Sequence, residues 1–116
     1  MKKYIAIILA LSITNVTFAS APSEVSEIKA IIAGEGLVRV KLNTMKSVEG
    51  CASQEFYALD LSNNINNYMF STLLTAKASG KKVSFLLDSC IDLSGTGNVY
   101  PKIKYIYFCD TQWCNL

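Results

Sequence analysis

Residues 62–90, SNNINNYMFSTLLTAKASGKKVSFLLDSC, decide the fold. Ser62 can accept from free N–H groups of a first helical turn, as an N-cap does. Ile65, Met69, Thr72, Leu73 and Ala76 then recur at spacings of three and four. That spacing puts them on one helix face, with Leu74 and Ala78 widening the stripe. Gly80 sits where a helix ends with positive φ, and Lys77 lies near the negative end of the helix dipole. Val83, Phe85 and Leu87 alternate with Ser84 and Asp88, which predicts a strand. Cys90 closes this helix–glycine–strand unit.

Upstream, residues 22–27 read as a loose polar lead-in. A first strand is expected over 28–33 and a turn over 34–36. The second strand spans 37–42, with Val38, Val40 and Leu42 on one face and Arg39 and Lys41 on the other. A polar loop covers 43–50. A third strand follows over 56–61, with Phe56 and Ala58 opposed to Tyr57 and Leu59. Downstream of Cys90, residues 92–98 make a glycine-rich loop. Tyr100-Pro101 enforces extended geometry before the last strand. Ile103, Tyr105 and Tyr107 share one face of that strand, so the two tyrosines are expected to meet the core or a subunit partner. The tail from 109 is short.

Three strands, a helix and two strands form the layout of an OB-fold, a small mainly β (α+β) Greek-key barrel of five strands. The Ile65, Met69 and Leu73 stripe would plug one end of it. An open α+β sandwich is the alternative architecture.

Residues 1–19 have the form of a signal peptide: Lys2 and Lys3, an apolar run over 5–13, and small residues at the cleavage positions of Thr17-Phe18-Ala19. The apolar run is short for a membrane span, and an uncleaved anchor is the alternative. Residues 20–116 make one domain. The formal charge of +2 comes from Lys2 and Lys3, so the mature chain is neutral, with 9 basic and 9 acidic residues. It has no basic footprint for nucleic acid and no membrane span once the signal is removed.

Four cysteines in an exported chain argue for two disulfides. Of three connectivities, Cys51–Cys90 with Cys109–Cys114 is favoured. A zinc site is the alternative, but the chain has no histidine and no paired C-x2-C elements. The missing histidine also removes the commonest general base, and no residue set points to an enzyme or a cofactor. Ser79-Gly80-Lys81 lacks the upstream glycine of a phosphate loop, since Thr75 stands there. Tyr57, Tyr68, Tyr100, Tyr105, Tyr107 and Trp113 suit packing or wet interfaces, with Trp113 the best candidate for an exposed ring. Asp92, Ser94, Thr96 and Asn98 form a polar loop that could hydrogen-bond a ligand; an ordinary turn has the same composition.

STLLTAKASGKKVSFLLDSC (71–90), YPKIKYIYFC (100–109) and the close C-terminal cysteine pair resemble the binding subunits of AB5 toxins, nearest the subtilase-cytotoxin B-subunit-like family. The resemblance implies an OB-fold subunit in a homo-pentamer that binds cell-surface glycans, with an enzymatic A subunit as an allowed partner. The family's glycan pocket uses a serine ahead of the first strand, which here falls near Ser23 and Ser26. Its tyrosine after the helix falls at Leu87, a departure from the family pattern. Candidate glycan-binding residues are therefore Ser23, Ser26, Asp92, Ser94 and Trp113. A secreted or periplasmic location follows. The runner-up function is a small periplasmic interaction or inhibitor module on the same scaffold, without sugar or toxin partner; oligonucleotide binding is third.

Overall fold

Alternation and register bring five strands into a ring. The structure, a computed structural model, describes residues 20–34, 36–48, 50–92 and 99–109. Six strands and one helix run in the order β1 (Ala21–Pro22), β2 (Ser26–Gly34), β3 (Leu37–Leu42), β4 (Tyr57–Asp60), α1 (Ile65–Ser79), β5 (Lys82–Asp92) and β6 (Val99–Phe108). Strand β2 pairs with β3, β3 with β4, β4 with β6, β6 with β5, and β5 returns to β2. The β4–β6 pairing is parallel and the others are antiparallel. The fold is thus mainly β with one helix, and its ring strands are those expected from the sequence.

The inner face follows the period-two pattern. Val38, Val40 and Leu42 of β3, Leu59 of β4, Phe85 and Leu87 of β5 and Ile103 of β6 are fully or almost fully buried. Tyr57 stacks edge-on against Phe85 with centroids 5.9 Å apart. Its hydroxyl donates to the Lys46 carbonyl and accepts from the Lys46 N–H, both at 3.2 Å. A buried phenol thereby keeps its hydrogen bonds.

The lead-in is a strand rather than a loose segment. Strand β1 pairs with Leu86 and Leu87 of β5. Between β1 and β2 the ladder is kept by a side chain: Phe85 N–H donates to Ser23 Oγ, and Ser23 N–H donates to the Phe85 carbonyl, each at 2.8 Å. A hydroxyl can replace a backbone acceptor in this way.

Helix α1 corrects three expectations. Ser62 is not the cap: its N–H donates to Asp60 Oδ1, and Asn63 Oδ1 accepts from Ile65 N–H instead. Ile65 is 68% exposed, and Leu74 and Ala78 are also exposed. The face turned to the ring carries Met69, Phe70, Leu73 and Ala76, a narrower stripe than spacing alone suggests. The helix end is as expected: Gly80 has φ 66°, and Lys81 N–H donates to the Ala76 carbonyl at 3.1 Å, a Schellman closure.

The last strand also differs from expectation. The β5–β6 register shifts twice, once between Leu86 and Leu87 and once between Leu87 and Cys90. Leu86 pairs with Tyr105 and Leu87 with Ile103, so Lys104 is an extra residue on β6. One extra residue reverses which face every later side chain occupies. Tyr105 and Tyr107 therefore leave the face of Ile103 and are 52% and 38% exposed, while Ile106 and Phe108 turn toward the core. The compensating bulge on β5 lies at Asp88 and Ser89, where Ser89 takes φ 62°. Lys104 Nζ and Asp88 Oδ2 meet at 3.5 Å between the two bulges. Pro101 pairs with Cys90 beside that bulge, a position that tolerates its missing N–H.

Cys51 and Cys90 form a disulfide, as expected. The Cys109–Cys114 pair reaches beyond the described residues, as do residues 1–19. Among the described residues no helix is long and apolar enough to cross a membrane.

Candidate functional site

The outer face of β3, β4 and β6 carries three of the ring's cations, Arg39, Lys41 and Lys102. In β3, inward Val38, Val40 and Leu42 force Arg39 and Lys41 outward. Register then decides their neighbours. Arg39 lies opposite Ala58, and Ala58 lies beside Lys102. Arg39, Ala58 and Lys102 form one row across three strands, with a methyl group between two cations. Two residues along, Lys41 shares the face with Phe56.

Phe56 is the base of this platform. Arg39 Cζ and Lys41 Nζ each stand 5.7 Å from its ring centroid, within cation–π range. Tyr100, nearly buried, meets the same ring edge-on at 6.1 Å and 79°. The aromatic pair fixes where the stems of the two cations can lie.

The loop before Phe56 is held from several sides. Gln54 Oε1 accepts from Val48 N–H, and Gln54 Nε2 donates to the carbonyls of Val48 and Cys51. Ser53 N–H donates to the Val99 carbonyl at 2.9 Å, and Cys51 is tied to Cys90. The platform therefore rests on an anchored loop, which lowers the ordering cost of binding.

The electrostatics leave these cations available. Arg39, Lys41 and Lys102 make no ion pair with a described residue. Asp60, one row away opposite Leu37, is engaged elsewhere. The Ser62 backbone N–H, and then its hydroxyl, hold the Asp60 carboxyl below the ordinary carboxylate range, with a smaller pull from Lys102. Burial pushes the Tyr57 phenol above its ordinary value.

Three of the residues singled out in the sequence, Ser23, Ser26 and Asp92, lie among the described residues. Ser23 and Ser26 are 6% and 4% exposed. Ser23 Oγ bridges to β5, and Ser26 Oγ accepts from Thr44 N–H at 2.9 Å, so both hydroxyls join chain segments. Leu87, where the resemblance puts a sugar-holding tyrosine, is buried in the core. Asp92 is exposed at the end of β5, opposite Val99. Ser94 and Trp113 lie outside the described residues. Arg39, Lys41, Phe56 and Lys102 were not singled out, although alternation alone already placed the first two outward. Finding the cluster needed the β3–β4–β6 register.

No family model, curated protein or solved structure matches the chain. Among the described residues there is no group of histidine, cysteine, aspartate or glutamate that could hold a metal ion.

Proposed function

We propose that the chain is an exported OB-fold module that binds cell-surface glycans on the outer face of β3, β4 and β6, assembled as a ring of copies in the manner of AB5 toxin B subunits. The ring order β2-β3-β4-β6-β5, with the helix between its third and fourth strands, supports the OB assignment. OB-folds take oligosaccharides and oligonucleotides on the face of their second and third strands, which are β3 and β4 here. The observation that carries the reading is Phe56 beneath Arg39 and Lys41, a positioned polar set on a rigid aromatic base. The disulfide supports export to an oxidising compartment.

A second surface suits contact between copies. Pro22, Leu86 and Tyr105 form a row across β1, β5 and β6, and Tyr107 lies one step along. Tyr105 and Tyr107 rings are 6.5 Å apart and large enough to anchor an interface.

Native mass spectrometry of the oxidised protein lacking residues 1–19, followed by a glycan array, tests the proposal. A mass five times the subunit, with array binding lost in Phe56→Ala, is expected. Tyr105→Ser/Tyr107→Ser should reduce the mass to one subunit. A wild-type monomer at micromolar concentration removes the multivalency that weak sugar binding needs. A monomer that also gives a blank array overturns the proposal in favour of the periplasmic interaction or inhibitor module.

A further inference from the structure

We propose that the β3–β4–β6 face selects an oligosaccharide carrying at least two sulfate or carboxylate groups, one met by Arg39 and Lys41 and another by Lys102. The inference deepens the glycan reading above and rests on it.

Spacing is the first argument. Arg39 and Lys102 stand on one face, two strands apart, with only Ala58 between them. Their backbones are therefore about 10 Å apart, and Lys41 is about 7 Å along β3 from Arg39. Long side chains narrow or widen these gaps, so one small anion does not engage all three optimally. Anions on successive sugar units do.

Charge is the second argument. Three cations on one face repel one another at these spacings unless anions neutralise them. Asp88 pairs with Lys104, and Asp60 accepts from Ser62. Asp60 attracts Lys102 weakly without forming an ion pair, and Asp88 forms none with the row. A ligand's anions supply the missing partners and form charge-assisted hydrogen bonds with a face that is already ordered.

The aromatic arrangement favours a glycan over a nucleic acid strand. Single-strand binders offer open ring faces on which successive bases stack. Here Tyr100 is nearly buried, and Phe56 is half-buried with two cations over it. Beyond residue 19 the chain carries 9 basic and 9 acidic residues, so no extended phosphate track is available. What remains is a short cluster that reads the spacing of a few anions.

Calorimetric titration at low salt tests this with four probes: a heparin-derived tetrasaccharide, its fully desulfated and N-acetylated counterpart, neutral chitotetraose and a ten-residue thymidine strand. The sulfated tetrasaccharide should bind at least about tenfold tighter than neutral chitotetraose, the difference one charge-assisted hydrogen bond can supply, with the desulfated form, which keeps its uronate carboxylates, between them. Its affinity should fall as salt rises. Arg39→Gln and Lys102→Gln should each weaken it about tenfold with an unchanged melting temperature, while Lys77→Gln on the helix leaves it unchanged. Equal binding of all three saccharides, insensitive to Arg39 and Lys102, overturns the inference and leaves the glycan reading standing. No saccharide binding here or on the array overturns both. Thymidine binding tighter than the sulfated tetrasaccharide overturns the inference in favour of a nucleic acid ligand.

Discussion

The two halves of β6 meet at Lys104 and face opposite ways. Upstream, Tyr100 and Lys102 point to the outer platform while Ile103 fills the core. Downstream, the outward side chains are Tyr105 and Tyr107, and Ile106 and Phe108 turn inward. Composition hardly changes between the halves. Partners and parity do: the upstream half touches β4 and β5, whereas the downstream half pairs with β5 alone. A single inserted residue thus separates an outer face of Tyr100 and Lys102 from an outer face of Tyr105 and Tyr107 on one strand.

Four experiments would break or sharpen that contrast. The largest effect belongs to the disulfide, which fixes Cys90 opposite Pro101 in the upstream half. It closes a sequence separation of 39 residues, and Cys51→Ser/Cys90→Ser should cost about 4 kcal/mol in the chain-entropy account, measured by urea unfolding. Deleting Lys104 comes next. Without the bulge, Ile106 and Phe108 must leave the core or the upstream half must slip, and a loss of about 3 kcal/mol is expected from the apolar area exposed. If the deletion variant is as stable as wild type, parity is not what divides the strand.

Ser23→Ala examines the other edge of β5. It leaves the Phe85 N–H without its side-chain acceptor and should cost about 1–2 kcal/mol. Ser23→Thr, which keeps the hydroxyl, should recover most of that. The smallest effect concerns Asp60, at the margin of the platform. In the folded chain its carboxyl titrates below the ordinary carboxylate range. Its contribution to stability is therefore present above about pH 4 and lost as pH falls through the lower folded value. The stability difference between wild type and Asp60→Ala should be small at neutral pH and vanish in acid. A difference that grows in acid would contradict this sign.

Much of the ring was legible from local pattern. The alternation of residues 37–42 placed Arg39 and Lys41 outward because a buried inner face demands it. Gly80 marked the helix end because positive φ suits glycine. Helix spacing was less reliable. Ile65 and Leu74 satisfy the period yet are exposed, since the face against the ring is the narrower one of Met69, Phe70, Leu73 and Ala76. The serines were legible as polar residues ahead of a strand, but not as ladder substitutes, because their acceptor role depends on Phe85 and Thr44, far away in the chain.

By itself the amino-acid order determined the five ring strands and the helix, the glycine stop, the inward face of β3 and a cysteine pair able to staple the ring. Each depends on neighbours within a few residues or on a simple count. Tertiary structure alone decided the direction of Tyr105 and Tyr107 and the row of Arg39, Ala58 and Lys102. Both depend on the register between strands far apart in sequence, and a one-residue bulge changes every facing beyond it while leaving the local pattern untouched.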